Sequence, residues 1–218
     1  MLAVRLLVAV MVVGAAPLAA AQCPFHKLGS PPPGHPEIET HISPSDERSY
    51  HKYLESLDIN ALYDTIAKVM TTSQKCWPAD GPQDGDSPSY AGLFGRLAWH
   101  CAGTLRIVDD ESFGGCEGGG IRFWPEREWR DNGNLDQARA ILAEVKNMPA
   151  YQKLSWGDLI TFAGTVGIKA SGGPAKKFCF GRIDARDGSA SVELGVEGIA
   201  ECVGKDAGLR RQGGQVGF

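Results

Sequence analysis

The chain has 218 residues, of which 43% are hydrophobic and 22% are charged, and it carries a formal net charge of −4. These proportions are ordinary for a globular protein, and the length suits one domain of usual size or two small ones. The negative charge and the lack of a basic block argue against nucleic acid as the main partner.

The first 21 residues have the features of a secretory signal peptide. Arg5 supplies a short positive region, residues 6–16 form an apolar run too short to cross a bilayer comfortably, and residues 19–21 are alanines suited to cleavage. This pattern predicts a protein on the secretory route, in an extracellular, periplasmic or organelle-lumen compartment, with no membrane association after cleavage. An uncleaved membrane anchor is the alternative.

Residues 22–45 follow as a proline-rich arm. They include the string SPPPGHPE, and proline and glycine at this density oppose regular structure. His26, His35 and His41 lie in this arm, and we expect them to be solvated rather than bound to metal.

Six cysteines fit an exported protein, because an even number can form disulfides. They allow fifteen pairings, and the sequence does not choose among them. No C-x-x-C and no Cys/His metal spacing is present, which argues against a zinc site. Cys101 lies on a predicted buried helix, so we expect it to be a small apolar filler rather than a reactive thiol. The cysteines are Cys23, Cys76, Cys101, Cys116, Cys179 and Cys202.

Hydrophobic spacing beyond the arm predicts an all-α fold. A first helix is predicted over 47–57, and a second over 58–73 has apolar residues at helical spacing along one face. Two later amphipathic helices are predicted over 135–146 and 154–171, the last with Ser155 as its N-cap.

The candidate chemistry lies in the stretch LFGRLAWHCAGT, on a helix predicted over 90–103. Arg96 and His100 are four residues apart and therefore share one face of that helix, and Trp99 precedes the histidine. An imidazole can move a proton while a nearby guanidinium stabilises the negative charge that develops. The alternative is an amphipathic helix whose His and Trp belong to an ordinary core.

This stretch resembles the distal helix of the haem peroxidases of plants, fungi and bacteria. A tryptophan directly before the histidine is typical of their class I branch, which includes catalase-peroxidases, cytochrome c peroxidases and ascorbate peroxidases. The segments TTSQKCWPAD, SWGDLITFAG and FCFGRID also resemble stretches of this family and occur in its order. The resemblance covers about residues 57–188 and is best with the N-terminal half of a catalase-peroxidase catalytic domain. It implies the distal half of a helical haem-peroxidase domain over 46–188.

The resemblance also implies an activity. A relative of this family uses haem b to reduce hydrogen peroxide with electrons from a donor, here unidentified, and the expected role is a response to oxidative stress. On this interpretation His100 moves the proton, Arg96 stabilises the developing charge, and both Arg96 and Trp99 contact the haem. Asn132 accepts a hydrogen bond from His100 and orients it, and Asp131 lines the substrate channel.

Several of these segments admit a second interpretation. Asn132 and Asp131 could cap the helix that follows them. The glycine-rich segment 114–120 suggests a phosphate cradle, but it lacks the preceding strand, the following helix and the Lys-Ser/Thr pair of that motif. The FGRID segment has two equally good explanations. One is a charge pair between Arg182 and Asp184, and the other is a role near the haem.

The sequence departs from the family in its later part. The family holds its iron through a proximal histidine on a later helix, and none of the five histidines here follows His100, so no metal ligand is predicted. The family's cross-link from the distal tryptophan to a later tyrosine and methionine has no counterpart, because the last of these residues are Tyr151 and Met148. Residues 189–218 form a glycine-rich tail without a family motif.

Two hypotheses account for these departures. The chain is a truncated or frame-shifted copy of a longer peroxidase, or it is a catalytically inactive secreted helical protein that lacks the proximal ligand. In both cases the haem-facing side is left uncovered, and small cores are marginally stable. We therefore expect a stable fold only where a partner, a homodimer or disulfides compensate for that face.

Overall fold

The computed structural model describes residues 47–81, 88–108, 111–174 and 177–194. The predicted signal peptide, the proline-rich arm and most of the glycine-rich tail lie outside these residues. The described part is built from α-helices and one short β-hairpin, which confirms the all-α prediction. The α-helices are α1 (Glu47–Ser56), α2 (Ile59–Met70), α3 (Ala91–Ala102), α4 (Leu135–Lys146) and α5 (Trp156–Ala170), and the hairpin pairs β1 (Arg106–Val108) with β2 (Glu111–Phe113).

Side-chain caps explain where two of the predicted helices begin. The Asp58 carboxylate accepts a hydrogen bond from the Ala61 amide at 2.9 Å, so α2 begins one residue later than predicted. The Ser155 hydroxyl accepts from the Asp158 amide at 3.1 Å and caps α5 as predicted. Each cap satisfies an amide that has no partner inside the helix.

Helices α3 and α5 form the centre of the core because small residues let their backbones approach closely. A Cβ atom added to Gly164 would lie 2.3 Å from the Cβ of Ala98, and one added to Gly167 would lie 2.8 Å from the Ala91 carbonyl oxygen. The helix with the candidate chemistry is therefore packed tightly along one side. The fully buried side chains on these two helices include Phe94, Leu97, Cys101, Leu159, Ile160 and Ala163.

Two buried carboxylates attach the FGRID segment to the start of α5. Asp184 accepts hydrogen bonds from the amides of Trp156, at 2.8 Å, and Gly157, at 3.1 Å. The guanidinium of Arg182 lies 2.9 Å from Asp158, within α5. The structure thus pairs Arg182 with Asp158 instead of the expected Asp184, and the Asp184 carboxylate lies 3.7 Å from the guanidinium of Arg122.

The glycine-rich segment after the hairpin is joined covalently to α3. Cys101 and Cys116 form a disulfide across 15 residues, and both are buried. The prediction that Cys101 is a simple apolar filler is therefore wrong, although the residue is buried as expected. Cys179 is an exposed free thiol. Three short 3-10 helices follow this segment at Gly120–Arg122, Glu126–Glu128 and Arg130–Asn132, and another lies at Ser189–Leu194.

Candidate active site

The last two turns of α3 meet the end of the short 3-10 helices. Nδ1 of His100 lies 2.8 Å from Oδ1 of Asn132. Asn132 is buried, with 4% of its surface exposed, whereas His100 is half-buried. The structure thus brings together two predicted site residues that are 32 positions apart in the chain.

Asn132 determines which nitrogen of His100 carries the proton. Its Nδ2 atom donates to the backbone carbonyl of Glu126 at 2.6 Å, and a carbonyl can only accept. Oδ1 therefore faces His100 and accepts, so Nδ1 of the ring must be the donor. In the neutral imidazole, Nε2 is then left with a free lone pair that can accept a proton.

Arg96 is fixed to the same part of the chain. Its guanidinium donates to the carbonyl of Gly133 through Nη1 at 2.9 Å and to the carbonyl of Asp131 through Nη2 at 2.5 Å. The segment from Glu126 to Gly133, here called the 126–133 segment, therefore orients both Arg96 and His100. These two hydrogen bonds could not be predicted from the sequence, because every residue type has a backbone carbonyl.

The electrostatic environment favours a neutral His100. Partial burial lowers the pKa of His100 first, and the positive charge of Arg96 lowers it further. The hydrogen bond with Asn132 and the charge of Asp131 act in the opposite direction without reversing the shift. The lowered pKa favours the neutral form of the His100 imidazole, which can accept a proton.

Trp99 supplies an open apolar surface next to His100. Its exposed fraction is 40%, whereas Trp156 on α5 is 2% exposed. Exposure of this size argues against the hypothesis that Trp99 belongs to an ordinary core. Asp131 is also exposed, and its carboxylate is near enough to influence the pKa of His100.

The capping alternative for Asn132 and Asp131 does not describe α4. The residue at its N-cap is Asn134, which has a φ of +67° and makes no side-chain capping bond. The side chain of Asn132 is instead used by His100 and by the Glu126 carbonyl.

The described residues fit one side of a haem. Trp99 offers a flat aromatic surface, and Arg96 and His100 extend from the same helix toward the 126–133 segment. Among the residues that the structure describes, no group of three His, Cys, Asp or Glu side chains could hold a metal ion. The sequence contains no histidine after His100, so no later helix supplies a histidine ligand for the iron. No helix in the described ranges is long and apolar enough to cross a membrane.

The helical fold and the grouping of Arg96, Trp99, His100 and Asn132 agree with the class of protein expected from the sequence, a haem peroxidase. Residues 67–200 match the protein family described as Peroxidase, and the chain belongs to this family. The match runs past residue 188, into the part of the chain in which the sequence shows no recognisable motif.

Relatives that match this chain include catalase-peroxidases, in agreement with the predicted class I resemblance. Catalase-peroxidase 2 of Legionella pneumophila (strain Lens) is 41% identical over 150 residues, covering 69% of this chain and 19% of the relative. A catalase-peroxidase of Saccharophagus degradans is 42% identical over 149 residues, covering 68% and 19%. One from a Nocardioides species is 47% identical over 135 residues, covering 62% and 17%. The chain thus spans about a fifth of the length of these relatives.

Proposed function

We propose that this chain provides the peroxide-activating half of a haem-dependent peroxidase that reduces hydrogen peroxide, with haem b as its cofactor. The observation that carries the proposal is the orientation of His100, whose Nδ1–H is bound to Asn132 so that Nε2 faces away as a base. The name catalase-peroxidase, borne by the relatives, supports the same substrate.

The side chains act in a defined order in this proposal. Nε2 of His100 accepts a proton from hydrogen peroxide and returns it to the oxygen that leaves as water. The guanidinium of Arg96 stabilises the negative charge that develops as the O–O bond breaks. Asn132 keeps the proton on Nδ1 throughout, so that Nε2 is the atom that moves protons. Asp131 lines the approach to the site.

Bound haem would supply the redox chemistry, with two electrons from a donor needed to complete the reduction of peroxide to water. Trp99 and Arg96 would contact it on the open side. The proposal also requires an axial ligand for the iron, and the sequence has no histidine beyond His100 that could supply it. A second candidate function follows from that same absence: an inactive helical protein that binds haem weakly or binds a protein partner.

The test loads the full chain with haemin, adds imidazole as an external axial ligand, and follows the reaction with hydrogen peroxide by stopped-flow absorbance. We expect the reaction to slow by about 100-fold or more in His100→Ala, because a positioned base contributes at least this much. His51→Ala is the matched control, since His51 is an exposed histidine on α1. Equal rates in the two variants, or no defined Soret band, would favour the inactive binding protein.

We further propose that the protein follows the secretory route and acts in the response to oxidative stress. The apolar N-terminal run after Arg5 and the Cys101–Cys116 disulfide support export, because disulfides persist in oxidising compartments. The intact mass of the native protein tests this proposal. A mass that still includes residues 1–21 would contradict cleavage.

A further inference from the structure

The segment that joins His100 to Asn132 has little core of its own. Among its described residues it contains one hairpin and three short 3-10 helices, but no complete α-helix beyond the end of α3. Between the two residues, Ile121 is the one large hydrophobic side chain that is buried in the part that the structure describes. Hydrophobic packing alone therefore gives this segment few constraints.

The Cys101–Cys116 disulfide supplies a covalent constraint that begins one residue from His100. Cys101 follows His100 directly on α3, and its exposed fraction is 0%. The Thr104 hydroxyl donates to the Cys101 carbonyl at 2.9 Å and accepts from the Gly115 amide at 3.0 Å. A covalent bond and two hydrogen bonds thus attach the glycine-rich segment to the end of α3.

The backbone at Cys116 indicates that a thiol is required there. Five residues between 114 and 119 have positive φ, and four of them are glycines. Cys116, with a φ of +67°, is the exception. Glycine adopts this conformation without the steric cost that a side chain introduces. A side chain with this steric cost is present at Cys116, whose sulfur atom bonds to Cys101.

Cys116 also determines how the chain leaves the turn. A Cβ atom on Gly157, at the start of α5, would lie 2.6 Å from the Cys116 carbonyl oxygen, so the turn is pressed against α5. The Gly119 amide donates to that same carbonyl at 3.1 Å and begins the path toward Ile121. This path continues to Glu126, whose carbonyl orients Asn132.

We propose that the Cys101–Cys116 disulfide is a positioning device for the candidate site, which holds the 126–133 segment against α3 so that Asn132 keeps its bond to His100. Both cysteines are positioning residues and neither touches the reacting atoms. The geometric claim is independent of the proposed function. The consequence for peroxide reduction rests on that function.

The test measures the tautomer of His100 by long-range 1H–15N NMR of the full chain at a pH of about 8, where the imidazole is neutral. The signal is assigned by its loss in His100→Gln. The principal variant is Cys101→Ala/Cys116→Gly, which removes the cross-link and accommodates the positive φ. We expect the Nδ1–H tautomer in the wild type and a shift toward Nε2–H in this variant, because a free imidazole has no partner that holds the proton on Nδ1.

Cys179→Ala is the matched control, since Cys179 is an exposed free thiol, and it should leave the tautomer unchanged. Cys101→Val/Cys116→Gly is a second variant that fills the space left by the sulfur atom, and circular dichroism shows that each variant is folded. A folded variant that retains Nδ1–H would overturn the proposal. Because the measurement uses neither haem nor peroxide, failure of the proposed function would not affect this result.

Discussion

Asn132 is the residue on which the chemistry of His100 depends. It contacts the ring through its oxygen and the Glu126 carbonyl through its nitrogen, and the asparagine itself is buried. The Glu126 carbonyl fixes the orientation of the amide, because a carbonyl can only accept a hydrogen bond. The amide oxygen that then faces His100 fixes the tautomer of the histidine.

Replacement of Asn132 by leucine should therefore have two effects. The Nδ1–H tautomer of His100 loses its acceptor, and the Glu126 carbonyl loses one of its two donors, since the Trp129 amide still donates to it at 3.2 Å. Loss of one such hydrogen bond costs about 0.5–1.5 kcal/mol of stability. Urea unfolding and 15N NMR measure the two effects in one protein. Asn147→Ala, in which an exposed asparagine is replaced, should change neither quantity.

The lowered pKa of His100 predicts a pH dependence with a definite sign. Because the folded-state pKa lies below the value of about 6.5 in an unfolded chain, the folded protein resists protonation of this ring. Its contribution to stability is complete above that pH and is lost as the pH falls toward the folded-state pKa. The rate of the proposed peroxide reaction should likewise rise with pH, with a midpoint below 6.5.

An NMR titration of the wild type measures the pKa of His100 directly. In His100→Gln, the reaction rate should lose this pH dependence. A midpoint at or above the value for free histidine would show that burial and Arg96 do not control the ring as described.

At the scale of elements, the contact between α3 and α5 keeps Arg96 and His100 in place. The two helices approach closely because Gly164 faces Ala98, and Gly164 has no room for a methyl group. Other positions on α3 are less crowded, since a Cβ atom added to Gly95 would meet nothing within 4 Å. One helix thus has tightly packed positions and open ones.

Gly164→Ala should therefore destabilise the fold although alanine is the better helix former. The added methyl group would lie 2.3 Å from Ala98, and overpacking of this kind costs about 1–3 kcal/mol. Gly95→Ala, the control at an uncrowded position of the same helix, should be neutral or stabilise the protein by up to about 1 kcal/mol. Urea unfolding compares the two. The double variant Gly164→Ala/Ala98→Gly should recover part of the loss, and no recovery would mean that the contact is not the cause.

At the scale of the whole molecule, the periodicity of apolar residues predicted the helices, because their spacing shows which side of each helix faces the core. The shared direction of Arg96 and His100 followed from the same geometry. The cysteine pairing could not be predicted in this way, because six cysteines allow fifteen pairings until the chain is folded. The partners of Arg182 and Asp184 depend on the position of α5, and the acceptors of Arg96 are backbone carbonyls. Of the contacts between distant residues that position the site, only the His100–Asn132 bond was expected, and that expectation came from the family resemblance.

The cross-link should also matter for the stability of the whole chain, because the segment it closes contributes little buried hydrophobic surface. A disulfide that closes a loop of this size stabilises a protein by about 3 kcal/mol in the chain-entropy model. Glycine at position 116 adopts the positive φ without the steric cost of a side chain. This substitution therefore recovers about 1 kcal/mol of the stability lost with the disulfide.

Cys101→Ala/Cys116→Gly should therefore lose about 2 kcal/mol, which corresponds to a fall in Tm of about 4–8 °C for a chain of this length. Differential scanning calorimetry measures the shift, and Cys179→Ala should leave Tm unchanged. A variant that keeps its Tm but loses the Nδ1–H tautomer of His100 would separate the two roles, because the cross-link would then orient the site without stabilising the fold.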